Sequence, residues 1–423
     1  MKRLGTTSRF YERYLQREAG LNETSWKLIM ADTVSARRDT KTGPEGPVVH
    51  SAPGQRRRAL HSVRPVTRRV GGCDASHPNA CYMETNYPDS NRKSWADLCR
   101  VAAIFGVVVI HACGANFYQF GKIPSADWLS INLLDSLVRC SVPLFVMLSG
   151  ALLLSPQASP ATPWQILGRI RKVAIPLLTW NVAYLLYVSR FTGQGIDWLG
   201  MFRQVPMYHL WFVYMIIGLY LLLPVLQAIF TVIAQRPDLQ RYLLALWVVV
   251  TCVPIYYPLP ILALLQQTSL LGYAGFFLMG GVIAGAHSRG AAWPWALAYL
   301  VAVLVTCWVT WRDSTAAQSV VERAYLYFSP NVVLASLGAF ILFTRLEVRG
   351  LLSRGLHWIA DRSFLVFFMH VVILERVQNH VAAWDLSMPV ILQTVLVSVL
   401  TFLLCLAIAS LLRLLPKSRA ILG

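Results

Sequence analysis

Arg100 and His111 stand eleven residues apart in one apolar run, LCRVAAIFGVVVIHACGANFY. Eleven steps of ~100° return nearly to the same helix face, and eleven rises of ~1.5 Å separate the pair by ~16 Å. One stripe of one helix is thus predicted to carry a permanent cation near its start and an imidazole deep within it. A guanidinium has no deprotonated form at working pH and suits phosphate or carbonyl binding. An imidazole titrates near neutrality and suits general-base chemistry on a hydroxyl. Singly, each has a plainer reading: Arg100 as a snorkelling interface anchor, His111 as a helix-packing hydrogen bond.

Other polar groups interrupt apolar runs. Asp135 and Arg139, in LLDSLVRCSVPLFVMLSGALLL, are four apart and spaced to pair on one helix face. His209 and Trp211 open YHLWFVYMIIGLYLLLP, a pattern that also fits an aromatic belt at a membrane surface. His370 sits in SFLVFFMHVVILE, where simple packing would also account for it. Ionisable groups inside membrane spans are costly, so each is a functional candidate. The eight cysteines form no CxxC pair, and the last six lie in or beside apolar runs. They read as small buried hydrophobes, with neither a disulfide framework nor a metal site expected.

The elements that must position these residues follow from composition. Of 423 residues, 56% are hydrophobic and 14% charged. Soluble domains carry roughly 25% charged residues, so the chain belongs to the membrane class. Spans need about 17–25 residues. Runs of that kind lie near 98–117, 133–154, 172–190, 208–230, 241–259, 268–286, 292–311, 327–345, 357–376 and 388–415. Pro254, Pro258 and Pro260 interrupt the fifth and sixth. The expected fold is all-α, a polytopic integral membrane bundle of about ten transmembrane helices. No internal repeat is visible.

Charge orients this bundle. With the N-terminus inside, inner flanks hold 16 Lys and Arg, from Arg92 and Lys93 to Lys417 and Arg419, and outer flanks hold 7. Both termini are therefore expected in the cytoplasm, which places His111, Arg139, His209 and His370 in the outer half. That predicts a polar pocket open outward and reaching toward Arg100. The formal charge of +18 is largely explained this way, and no nucleic-acid partner is expected.

Residues 1–82 differ from the rest. They carry 15 Lys and Arg against 7 Asp and Glu, with several Pro and Gly and no sustained apolar period. Such composition predicts a disordered basic extension. Met83 opens METNYPDSNRKSWADLCR shortly before the first span and is a candidate alternative start, which would make 83–423 the functional body. Recovery of peptides from residues 1–82 by mass spectrometry of the native protein would exclude that start.

Residues 98–415 resemble the acyltransferase 3 family of membrane acyltransferases, and within it the branch containing the enterobacterial common antigen O-acetyltransferase. The resemblance rests on Arg100-x10-His111, SVPLFVMLSGALLL (141–154), HLWFVYMIIGLYLLLPVL (209–226) and FLVFFMH (364–370). It implies about ten helices, acyl-CoA (acetyl-CoA by default) as cytosolic donor, no metal, and a glycan or lipid-linked sugar as acceptor. It also implies that Arg100 and His111 are required for activity, with Arg139, His209, His370 and Trp211 as substrate-binding candidates. The expected setting is the bacterial inner membrane, with the lipid bilayer as partner. Intramembrane His and Arg with Pro-broken helices also occur in transporters, so a multi-pass or proton-coupled permease is the alternative.

Overall fold

A computed structural model describes residues 93–154, 160–192, 196, 198, 205–257, 269–286, 290–384 and 387–423. The expected basic extension (1–82), the Met83 start, Pro258 and Pro260 fall outside these residues, as do Cys73, Cys81 and three of the tallied arginines, Arg92, Arg203 and Arg289. All regular structure among the described residues is helical. Eight helices are long and apolar enough to cross a membrane, nine if one bent pair counts as a single span, and a shorter apolar helix adds to them. The chain is a polytopic membrane bundle, and each predicted run carries helix.

The first span is α1 (Ser94–Phe117). Its 24 residues rise ~36 Å, enough for a hydrocarbon core of ~30 Å. It packs against α2 (Ser125–Val138), α3 (Ser141–Leu153), α10 (Pro330–Thr344), α11 (Gly350–Ala383) and α12 (Val390–Leu412). That central position explains why 61% of its most apolar window is buried, against 22% for the peripheral α4 (Pro163–Thr192) and α9 (Trp293–Ala317).

Two spans predicted as continuous are broken, each by a proline. The 133–154 run begins earlier, at Ser125, and breaks at Arg139–Cys140. Pro143 cannot donate to the Arg139 carbonyl and its ring crowds that oxygen. The 208–230 run is a single 3₁₀ turn (Tyr208–Leu210), then α5 (Trp211–Leu221) and α6 (Leu223–Ile233), bent by 64°. Pro224 stands in the same relation to the Tyr220 carbonyl. The remaining helices are α7 (Pro237–Tyr256), α8 (Ser269–Gly285) and a terminal turn, α13 (Ser418–Ile421).

Close approaches are made by glycine. A Cβ on Gly150 would overlap the Phe277 carbonyl, and one on Gly280 the Met147 carbonyl. This reciprocal pair lets the backbones of α3 and α8 touch, the small-residue packing that lipid-embedded helices rely on.

Contacts between helix ends show the up-down alternation. At one end, Val348 N donates to Ser94 Oγ (3.2 Å), and His357 at the start of α11 meets Asp97 at the start of α1. At the other, Asn116 Nδ2 meets Thr394 Oγ1 (3.4 Å), and Tyr118 Oη donates to Glu322. The six described cysteines are unpaired, and five of them are buried.

Candidate active site

Three imidazoles from three elements converge. His111 comes from α1, His209 from the 3₁₀ turn before α5, and His370 from the middle of α11. The rings of His111 and His370 are 5.2 Å apart, and those of His209 and His370 are 5.0 Å apart. His370 is the hub and is fully buried, and His209 is 3% exposed.

Hydrogen bonding sets the tautomer of the hub. His370 Nδ1 lies 2.6 Å from the Phe367 carbonyl, which only accepts, so Nδ1 carries the proton. Its Nε2 is left as a lone-pair acceptor. That atom is buried and makes no hydrogen bond among the described residues, and the ring nitrogens of His209, also buried, have only the backbone of Phe368 within weak reach. Buried polar atoms ordinarily have partners, so these are positioned to meet a ligand or water.

His111 and His209 line a pocket with Val107, Val142, Phe145 and Trp211, and Phe212, Tyr327 and Phe367 complete the wall, while His370 packs behind them. Val107 and His111 are one turn apart on α1, so the stripe that begins at Arg100 faces this pocket. The break after Arg139 allows α3 to present Val142 and Phe145 to it. The pocket, about 20 Å³, has room for one water-sized group. Trp211 lies 5.7 Å from Tyr273 and 6.1 Å from Tyr327, forming an aromatic wall rather than a membrane-surface belt.

Arg100 stands ~16 Å along α1 from His111. Asp97, one turn earlier and 5% exposed, holds it at 3.6 Å and reaches His357 Nδ1 at 3.4 Å with its other oxygen. Tyr220 of α5 lies within electrostatic reach of both Arg100 and Arg169. The far end of the stripe is therefore cationic and assembled from α1, α4, α5 and α11.

Arg139 is placed elsewhere. It pairs with Asp135 (2.7 Å), its guanidinium covers the Tyr325 ring at 4.2 Å, and it neighbours Cys113. Cys113 is two residues beyond His111, about 200° around α1, so Arg139 lies across the helix from the imidazoles. The structure brings the three histidines together, with Trp211 beside His209 at the pocket, and sets Arg139 apart from them. Which face of α2 meets α1 decided this, and the i,i+4 spacing carries no information about it.

Sequence reading missed three neighbours. Tyr208 lies 5.2 Å from His111 and adjoins His209. Tyr327 comes from the connection before α10, where no pattern marks it. Asp97 had a usable signal, an acid three residues before Arg100 in an otherwise apolar segment.

No solved structure matches the chain. A succinoglycan biosynthesis protein, ExoH, of Rhizobium meliloti (strain 1021) is 30% identical over 111 residues, which span 26% of this chain and 30% of that protein. The match is thus confined to less than a third of the relative's length. The acyltransferase domain of the acyltransferase 3 family matches residues 93–410, and with three quarters of its length so covered the chain belongs to that family.

Proposed function

We propose that the chain is a membrane O-acyltransferase that moves an acyl group, acetyl by default, from acyl-CoA to a hydroxyl of a glycan or lipid-linked sugar. The observation that carries this reading is the cluster of His111, His209 and His370 at the end of the stripe that starts with Arg100. Family membership supports acyl transfer as the reaction class. The name of the Rhizobium relative, which places that protein in succinoglycan biosynthesis, supports a carbohydrate acceptor.

In this reading His111 is the general base. It takes the proton of the acceptor hydroxyl as the oxygen attacks the thioester carbonyl. The tetrahedral intermediate collapses with loss of the CoA thiolate, and the proton is available to that leaving group. His370, with Nδ1–H fixed on Phe367, presents a bare Nε2 that orients the neighbouring imidazole or the acceptor hydroxyl. Arg100, held by Asp97, binds the phosphates of the donor. The ~16 Å between them is comparable to a pantetheine arm, so the nucleotide stays at the Arg100 mouth while the thioester reaches His111. Orientation by the positive-inside rule puts the Arg100 end in the cytosol and the histidines in the outer half of an inner-membrane protein.

The test is transfer of radiolabelled acetyl from acetyl-CoA to surface glycan by the purified full chain in vesicles. The wild type is expected to transfer label, and His111→Ala to insert and fold but not transfer. Full activity in His111→Ala would remove the general base. Acetyl-CoA turnover absent in the wild type would favour a transport function instead.

A further inference from the structure

On the side of Tyr184 opposite the histidine pocket, α4, α11 and α12 enclose an apolar groove of about 250 Å³. Ala183 and Tyr187 of α4, Met369 and Ile373 of α11, and Ile408 and Leu412 of α12 line it. The volume is many times what a single water needs, so it accommodates a stretch of acyl chain. One end of the groove is Leu412, and the next residue is Arg413.

Arg413 belongs to a basic cluster at that end. Arg413 and Arg419 both approach Asp361, at 3.2 and 3.6 Å. Arg362 lies within electrostatic reach of all three and bonds Ser410 Oγ at 2.9 Å. Its guanidinium stacks 4.0 Å above Trp358, which is 44% exposed. Three guanidinium groups thus gather near one carboxylate, two of them paired with it directly. Arg413 Nε is buried without a hydrogen-bond partner among the described residues, although the Arg413 side chain is only 12% exposed. Lys417, in a left-handed conformation at φ 62°, turns the chain so that α13 packs on α4, and Trp180 donates to the Leu422 carbonyl (3.2 Å) beside the groove.

We infer that this is a binding site for an anionic phospholipid, its phosphate against Arg362, Arg413 and Arg419 and one acyl chain in the groove below. Charge complementarity carries the assignment. An acyl chain gains little by leaving bulk lipid for an apolar groove, so affinity must come from the headgroup. Cationic side chains at the membrane surface each contribute about fivefold to binding of anionic lipid. An exposed Trp beside them is the usual companion at headgroup depth. The groove shares no lining residue with the histidine pocket, although Tyr184 of its wall packs on His209 at 5.4 Å, and the assignment does not depend on the acyl-transfer reading.

Native mass spectrometry of the purified full chain, titrated with phosphatidylglycerol or phosphatidylcholine, tests this. Phosphatidylglycerol is expected to bind preferentially. Arg362→Gln and Arg419→Gln should each weaken it about fivefold, and Ala183→Phe, which fills the groove without changing charge, should weaken it as well. Arg419 is 74% exposed, so its variant keeps the fold. Equal binding of the two lipids would overturn the inference, as would phosphatidylglycerol affinity unchanged in all three variants. A loss of coenzyme A affinity in Arg362→Gln with lipid binding intact would also overturn it, by assigning the cluster to a nucleotide.

Discussion

The Nδ1 proton of His370 is committed to the Phe367 carbonyl at 2.6 Å, which fixes this buried imidazole with its ring 5.2 Å from that of His111. A histidine so fixed acts on its neighbours through one unprotonated nitrogen. His111, by contrast, is only partly buried and lines the pocket, so it is the member able to meet substrate.

This division of labour predicts different losses. His111→Ala should lower kcat by about 10²–10⁴-fold, the usual contribution of a general base. His370→Gln keeps an acceptor but loses the fixed imidazole, so it should lower kcat less and shift the alkaline or acid limb of the pH–rate profile. Steady-state kinetics across pH on protein that elutes as a single species would measure both. Equal and complete loss in the two variants would assign the chemistry to the pair rather than to His111.

Asp97 should act through Arg100. It is buried and shared between Arg100 and His357, so Asp97→Asn removes the charge that holds the guanidinium. The KM for acyl-CoA should rise about tenfold, with kcat changed far less, and His357→Gln should do little. A kcat effect without a KM effect would detach Asp97 and Arg100 from donor binding.

The apolar runs that carry these helices were legible because length and hydropathy alone define them. Their interruptions were less so. Pro143 and Pro224 were visible, yet a proline marks only where a break is allowed, and tertiary packing decides whether it becomes a 64° bend at Leu222 or the smaller step at Arg139. The Arg100–His111 stripe follows from helix geometry and could be read directly. The meeting of His111 with His209 and His370 depends on which helices pack together. The alternation of spans put all three toward one end and could go no further. Arg139 shows the limit, since the same argument placed it in the outer half and could not place it across α1.

The Asp135–Arg139 pair is expected to be structural. Removing one partner of a buried ion pair strands the other and costs about 3–5 kcal/mol, so Arg139→Ala should lower the thermal midpoint sharply. Replacing both, as Asp135→Leu with Arg139→Met, should recover most of that stability. The double variant should also retain transfer activity, because neither residue lines the histidine pocket. An inactive but stable double variant would return Arg139 to the substrate site.

Gly106 offers a test of the packing that sets α1 against α3. A Cβ there would overlap Ser141 Oγ and press on Ser141 Cβ at 3.2 Å. Gly106→Ala should therefore displace α3 and, with it, Val142 and Phe145 of the pocket. Ser141→Gly in the same chain removes the obstructing atoms and should restore both folding yield and activity. Failure of the second change to rescue the first would mean that Gly106 matters for something other than this contact.

The aromatic wall makes the last prediction. Trp211, Tyr273 and Tyr327 stand within 5.7 to 6.5 Å of one another, and Trp211 and Tyr327 line the pocket beside His111 and His209. The negative face of an aromatic ring attracts the polarised C–H groups of a sugar face, so this wall is suited to hold a glycan acceptor. Its loss should then be felt by one substrate. Trp211→Leu and Tyr327→Leu should raise the acceptor KM and leave the acyl-CoA KM and the slow hydrolysis of acyl-CoA by water unchanged. Hydrolysis needs His111 and the donor but no sugar, so it separates the two substrates within one assay. Equal damage to transfer and hydrolysis would mean that the wall shapes the histidine cluster itself and does not recognise the acceptor.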